Sequence, residues 1–326
     1  MSFLHYKYKP KKINEIMYNI DLKDKLEICA KKTDIFSMIL YGPEGIGKKT
    51  LLHCYLNQYF NNDNSVYNLS TIDFVLSNNY KVYYKTSSRH FQIYFTENPK
   101  NNIYIIYELI NSLLRYKSVT NNYLIIMIYN IDRLQDNIIH LKYISEKYPC
   151  VVFLCTTSKH ISISLPFIQL KCNRLCYIDL LKITVKINKY ENLKLSNKEI
   201  KIIINTSFNN LHNLFNILQS IKLDQGYINS ISNNIDLIDN IIVTLLKKDV
   251  HDFPQIKTIL NNILIHNTYS LEYVIYYIFS KILYHISNKS EFIYETAQLS
   301  ENLIINNDIK AIILLDTYIF YIYKML

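Results

Sequence analysis

Phe36-Ser37-Met38-Ile39-Leu40-Tyr41 runs straight into Gly42-Pro43-Glu44-Gly45-Ile46-Gly47-Lys48-Lys49-Thr50, and Leu51 to Phe60 (LLHCYLNQYF) follows. The first run is a short apolar strand pattern. In the last one Leu51, Leu52, Tyr55, Leu56 and Tyr59 share a face near a 3.6-residue period. Strand, glycine loop and helix, in that order, make a phosphate site. The glycines of Gly42-x4-Gly47-Lys48 let backbone N–H groups face an anion at a helix N-terminus, and the lysine reaches the β- and γ-phosphate oxygens. The pattern ordinarily ends in Ser or Thr, whose hydroxyl holds magnesium; here Lys49 takes that position and Thr50 comes one step later. Gly42, Pro43, Glu44, Gly45, Ile46, Gly47, Lys48, Lys49 and Thr50 are therefore the expected nucleotide-binding residues. The bland alternative is a vestigial loop that holds nothing.

A hydrolysing site also needs acids at the end of a neighbouring strand, one for magnesium and one to polarise the attacking water. The best candidate strand, Tyr123 to Tyr129 (YLIIMIY), ends in Asn130-Ile131-Asp132. Only Asp132 is acidic, and a neutral Asn130 cannot take a proton from water. The loop reads as able to bind and poorly equipped to cleave.

Further buried-strand patterns lie at Tyr80 to Thr86, His90 to Thr96 and Cys150 to Cys155, with helical patterns at Ile103 to Tyr116 and about Asp136 to Tyr148. Strands alternating with helices predict a mostly parallel α/β sheet. After about Asn173 the pattern turns helical, over Ser196 to Ile221 and nearly everywhere beyond Ile235, with a polar break at Gly226 to Asn234.

The chain has 326 residues, 49% hydrophobic and 19% charged, enough to bury a core and to exclude disorder. Tyr occurs 30 times, Gly 4 times and Trp not at all, a bias that we read as AT-rich codon drift. The formal charge of +9 fits either a polyanionic partner or a merely basic surface. Cys29, Cys54, Cys150, Cys155, Cys172 and Cys176 lack paired metal-ligand spacing, and the start MSFLHYKYKPKK has no apolar signal core, so a reduced intracellular protein with buried thiols is expected. No apolar run is long enough to span a bilayer. The nine histidines form no local Ser/His/Asp or Cys/His arrangement, so we expect no other hydrolase chemistry and no metal site.

Lys7-Tyr8-Lys9-Pro10, followed by Ile13 and Ile16, resembles the N-terminal KYRP segment of clamp-loader small subunits, the replication factor C group of AAA+ ATPases. The loop from Tyr41 to Thr50 resembles that of the one small subunit whose loop reads GKKT, the ring member that is not a working ATPase. Leu141-x4-Glu146-Lys147-Tyr148, Thr157-Ser158-Lys159, Ser270-Leu271-Glu272 and Lys310-Ala311-Ile312 extend the likeness over essentially the whole chain. The resemblance implies that Lys9 and Pro10 lie against the nucleotide. It puts the family's Walker B acids at Tyr129 and Asn130, leaving Asp132 as the surviving acid of a degenerate motif. It aligns the sensor-1 residue with Cys155 or Thr156, the trans-acting arginine finger with Lys171, which lacks the planar fork, and the sensor-2 arginine with His212. It places the Ile103 to Tyr116 helix facing clamp and DNA, with Lys100, Arg115 and Lys117 as candidate phosphate contacts.

The expected architecture is an α/β AAA+ (P-loop) domain over 1–172, a small helical lid over 173–228 and an all-α collar over 229–326. The expected function is that of a sliding-clamp-loader subunit that binds ATP or ADP as a structural ligand without hydrolysing it, with no catalytic residue of its own and the role of magnesium open. Its partners would be the other loader subunits in a hetero-oligomer, a pentamer, together with a sliding clamp and primer–template DNA, in the nucleus or a viral replication compartment and not at a membrane. The residues leave two alternatives, a slow AAA+ ATPase for remodelling or helicase loading and an interaction module with a dead pocket.

Overall fold

The computed structural model of the chain describes residues 3–75, 81–94, 99–115, 123–162, 165–247, 253–265, 271–283, 285, 289–305 and 310–325. One compact unit comprises Met1–Tyr190 with Asn209–Asn216, and a second Glu191–Phe208 with Ile217–Leu326.

The first unit is built on β1 (Met38–Tyr41), β2 (Ser70–Val75), β3 (Lys81–Thr86), β4 (Phe91–Tyr94), β5 (Leu124–Tyr129), β6 (Val151–Thr157) and β7 (Ile168–Lys171). They form one seven-stranded sheet in the order β2-β3-β4-β5-β6-β1-β7. From β4 to β7 every neighbouring pair is parallel, while β2 and β3 extend one edge antiparallel. Its helices are α1 (Leu4–Lys7), α2 (Ile20–Ala30), α3 (Lys48–Tyr59), α4 (Pro99–Arg115), α5 (Ile139–Lys147) and most of α6 (Tyr177–Glu191). The central strands read as unbroken apolar runs because both faces are covered: Met38, Ile39 and Leu40 of β1 and Phe153, Leu154 and Cys155 of β6 are fully buried. Ile39, Ile126, Ile128, Phe153 and Cys155 pack with Ile105, Ile106, Leu109 and Ile110 of α4 and Leu141 and Ile144 of α5. Parallel β1 leaves the sheet at its carboxyl end, where the loop to α3 sits beside the ends of β5, β6 and β7.

In the second unit α7 (Asn197–Thr206) starts on a capping box, with Glu199 N donating to Ser196 Oγ (3.3 Å) and Ser196 N to Glu199 Oε2 (2.6 Å). The helical pattern over Ser196 to Ile221 is interrupted where Phe208 and Asn209 take φ of 50° and 57°, and α8 (Leu211–Leu223) then begins. There follow α9 (Tyr227–Lys247), α10 (Phe253–Ile265), α11 (Leu271–Ile282), α12 (Lys289–Ile305) and α13 (Lys310–Met325). Fully buried Phe292 of α12 is stacked between Phe279 of α11 (5.3 Å) and Tyr321 of α13 (6.4 Å), and Lys257 pairs with Asp316 at 2.6 Å. Among the described residues no helix is long and apolar enough to cross a membrane.

Some elements differ from the expected ones. The polar stretch Gly226 to Asn234 is helical from Tyr227 onward, because Ile228 and Ile231 are buried at helical spacing and Ser232 Oγ donates back to Ile228 O (3.1 Å). The helix sought at Asp136 to Tyr148 opens as a 3-10 run, Ile131–Ile138, and becomes α5 only at Ile139. Cys54, Cys155 and Cys172 are buried, but Cys29 and Cys150 are half-buried and Cys176 is exposed.

Candidate functional site

The loop between β1 and α3 holds three of the four glycines of the chain. Gly47, the N-cap of α3, has φ of 88°, and a Cβ there would overlap the Tyr18 hydroxyl; Gly45 has φ of 70°, and a Cβ there would overlap the Asn210 side chain. Both positions thus need the missing side chain for conformation and for space. Asn210 closes the loop from outside. Its Oδ1 accepts from His212 N (2.8 Å) and Asn213 N (3.2 Å), capping α8, while Leu211 N donates to Gly45 O (2.8 Å). Two helix N-termini, those of α3 and α8, therefore flank the same loop, and their dipoles favour an anion.

A cavity of about 710 Å³ opens over the loop, within the range of small-ligand sites. Lys9, Pro10, Glu44, Gly45, Ile46, Gly47, Lys48, Lys49, Thr50, Asn130 and His212 all line it. Gly42 is buried at the mouth of β1, where its N donates to Thr157 O (3.3 Å), and Lys48 Nζ donates to the Gly42 and Pro43 carbonyls at 2.6 Å each. The N-terminal segment is tied onto α3, since Cys54 Sγ donates to Pro10 O (3.3 Å) and Asn57 Nδ2 to Lys11 O (2.8 Å), with Tyr67 Oη donating to the same Lys11 carbonyl at 2.5 Å. Lys9 is thereby held at the cavity and not on a free arm. Burial is the largest cause that lowers the pKa of Lys9, Lys48 and Lys49, and Arg133 and Lys85 depress Lys49 further. Partly desolvated like charges converging on one cavity are stabilised by a bound polyanion.

The end of β5, beside the loop, carries Tyr129 and Asn130. Tyr129, the last residue of β5, is 4% exposed, and its ring takes the Lys49 ammonium over its face, 4.5 Å from the centroid. The phenol is anchored in turn, with Tyr129 Oη 3.0 Å from His53 Nε2 on α3. Gln92 Nε2 on β4 stands 2.8 Å from His90 Nε2 and 3.3 Å from His53 Nε2; as an amide donor it requires both imidazole nitrogens to be unprotonated. Burial, joined at His53 by the nearby Lys9 charge, keeps these rings neutral by pushing His53 down to about 3 and His90 to about 4. Asn130 follows in the left-handed region (φ 55°), and its N donates to Thr156 Oγ1 (3.2 Å). Side chains alternate along β6, so that Cys155 points into the core cluster and Thr156 lines the cavity.

Not every candidate is brought to the cavity. Asp132 is exposed, accepts from Ser158 Oγ (3.2 Å) and does not line it. Lys171 is exposed at the end of β7, opposite Tyr41 in the register. Lys117 lies outside the described residues, as do the side chains of Lys100 and Arg115. Tyr18, Asn210, His53 and Gln92 were not legible as site residues; the loop's glycines demand close neighbours, but nothing local names them.

No family model matches the chain. A replication factor C small subunit of Acanthamoeba polyphaga mimivirus is 25% identical over 289 residues, 81% of this chain and 75% of that one. Replication factor C subunit 3 of Arabidopsis thaliana is 25% identical over 170 residues, 47% of this chain and 46% of that one. The chain is thus similar to replication factor C small subunits over most of its length. Its seven-stranded unit carries the strand, glycine loop and helix of a P-loop α/β domain, and a helical unit accompanies it. Among solved structures, the Thermotoga maritima RuvB Holliday junction branch migration motor is similar at a TM-score of 0.48 and 12% identity, covering 78% of this chain and 85% of that one. A single-substitution variant of the same RuvB is similar at a TM-score of 0.47 and 14% identity over the same shares.

A P-loop ordinarily holds a magnesium ion beside the phosphates, and the residues here do not supply its donor set. The residue after the loop lysine ends in an ammonium, β5 ends in a phenol followed by the carboxamide of Asn130, and Asp132 is turned to Ser158. Among the described residues no group of three or more His, Cys, Asp or Glu side chains is placed to hold a metal ion.

Proposed function

We propose that the chain is a nucleotide-binding, non-hydrolysing subunit of a sliding-clamp loader, holding ATP or ADP as a structural ligand. The observation that carries this reading is the asymmetry of the site. The phosphate-binding side, with Gly45, Gly47, Lys48 and two helix N-termini, is built for an anion, while the side that would activate water ends in Tyr129 and Asn130. A carboxamide cannot accept a proton from water, and among the described residues no acid lines the cavity at the end of β5. Lys9 and Pro10 from the N-terminal segment and His212 from α8 would close over the nucleotide, so that its binding ties the start of the chain and α8 to the loop.

In this reading the domains are an AAA+ domain over 1–172, a lid over 173–228 and a collar over 229–326 that packs in a hetero-oligomeric ring, a pentamer. The subunit would act inside the cell, in the nucleus or a viral replication compartment. It helps the ring hold the clamp open on primer–template DNA while neighbouring subunits hydrolyse ATP. Lys171, at the exposed end of β7, would face a neighbour's nucleotide as a point charge without the bidentate grip of arginine. Tagged chain purified from its native source is expected to bring down AAA+ subunits with intact Walker B acids together with a sliding clamp. The isolated chain is expected to show no ATP turnover. Turnover abolished by Lys48→Ala, or rings that load clamps equally well without the chain, overturns the proposal in favour of a slow remodelling ATPase or a passive module.

A further inference from the structure

The most informative contact in the molecule is the one between Lys49 and Tyr129, because each stands where the metal machinery of a P-loop belongs and the two have closed on each other. The position after the phosphate-loop lysine projects toward the β- and γ-phosphate oxygens, which is why a hydroxyl there ordinarily shares magnesium with them. Lys49 puts a cation at that point by covalent attachment. Its ammonium lies over the Tyr129 ring, whose negative π-face orients the head without neutralising it. The ring is itself fixed, buried and held at its hydroxyl by His53. Thr50, one residue further along α3, is turned about 100° around the helix and cannot take over the hydroxyl's place.

The charges around Lys49 point the same way. Lys48, Arg133 and Lys85 are on its cationic side, and Glu44, exposed on the loop, is its acidic neighbour. A divalent ion placed here would meet a fixed ammonium with, among the described residues, a single exposed carboxylate, Glu44, beside it, whereas hard divalent cations seek several carboxylate and phosphate oxygens at once. The phosphates of a nucleotide would meet Lys48 and Lys49 side by side, with Lys9 also lining the cavity.

Resting on the proposed function, we propose that this site binds its nucleotide without a divalent cation, the Lys49 ammonium, steadied by Tyr129 and His53, standing in for magnesium. A metal-free nucleotide carries more negative charge than its magnesium chelate, so it is the form this lysine set favours.

The test is calorimetric titration of ADP and of ATP into the full chain, in EDTA and in excess magnesium, with bound manganese followed separately by electron paramagnetic resonance. Affinity in EDTA should equal or exceed that in magnesium, and manganese should show no protein-bound signal in the nucleotide complex. Lys49→Thr should weaken binding in EDTA by about tenfold, the worth of a charge-assisted hydrogen bond. The double variant Lys49→Thr/Tyr129→Asp should gain affinity when magnesium is added. Magnesium tightening wild-type binding tenfold or more, or a protein-bound manganese signal in the wild-type complex, overturns the inference while leaving the nucleotide-binding reading intact. No binding in either buffer overturns both. The wild-type arms need no variant to fold, so the result does not depend on how well the substitutions are tolerated.

Discussion

Acidification from pH 7 to pH 5 should cost the α/β unit about 4 kcal/mol of stability through two side chains, His53 and His90. Both rings are buried and accept from Gln92 at Nε2, and burial pushes their pKa values down to about 3 and about 4. In the unfolded chain each returns to about 6.5. Below that pH the unfolded state takes up protons that the folded state refuses, so this contribution to stability is complete above pH 6.5 and is lost progressively as the pH falls. Each ring loses about 1.4 kcal/mol per pH unit, hence about 2 kcal/mol between 6.5 and 5. That loss is nearly the same whether the folded value is 3 or 4, since both lie well below pH 5. The lowered carboxylates Asp63 and Glu199 do not enter this window, because their stabilising effect is present above the ordinary carboxylate range and is lost only below it. The assay is urea unfolding followed by near-ultraviolet circular dichroism at a series of pH values, on wild type and on His53→Gln/His90→Gln. Wild type should lose about 4 kcal/mol, and the variant most of that pH slope with it. A wild-type loss under about 1 kcal/mol, or an undiminished slope in the variant, would refute the reasoning. In the folded chain both rings stay neutral down to pH 5, so the anchoring of Tyr129 by His53 should persist across this interval.

Lys48→Ala should weaken nucleotide binding by about 1.5–3 kcal/mol, roughly ten- to a hundredfold, in a direct titration, the range for a charged hydrogen-bond donor. Gly47→Ala should destabilise the α/β unit by at least about 1–2 kcal/mol in chemical denaturation, because φ of 88° is strained for any Cβ and this one overlaps Tyr18. Ser196→Ala removes the α7 capping box and should cost about 1 kcal/mol of stability with no effect on nucleotide affinity, which separates the helical unit's stability from the site. A saturating nucleotide at about a hundred times its Kd should stabilise wild type by about 2.7 kcal/mol, read as a rise in melting temperature that Lys48→Ala reduces.

The phosphate loop was legible because everything that makes it is adjacent in the chain: an apolar strand, glycines where the backbone must turn toward an anion, and a helix with one apolar face. The central strands were legible for a related reason. Strands buried on both faces must be apolar throughout, and runs such as Met38 to Tyr41 and Val151 to Cys155 show it without reference to their neighbours. That only Asp132 is acidic in Tyr129-Asn130-Ile131-Asp132 was likewise plain from residue type alone.

Strands without that burial escaped notice. β2 lies at the sheet edge and has Ser70, Thr71 and Asp73 among its six residues, and β7 is exposed at Ile168 and Lys171, so neither carries enough apolar pattern to stand out from a loop. Gly226 to Asn234 misled in the other direction, since its Asn and Ser residues are turn formers by local preference and only tertiary burial of Ile228 and Ile231 makes the stretch helical. Local chemistry thus determined the α/β scaffold and the phosphate-loop pattern, and put Asn130 where a hydrolysing site would need an acid. Which side chains complete the site was decided in three dimensions. Tyr18 against Gly47, Asn210 against Gly45, Thr156 in place of Cys155, and Lys49 over Tyr129 each depend on residues far apart in sequence, and such arrangements exist only once the sheet has aligned its strands and its pleat has chosen which face each residue takes.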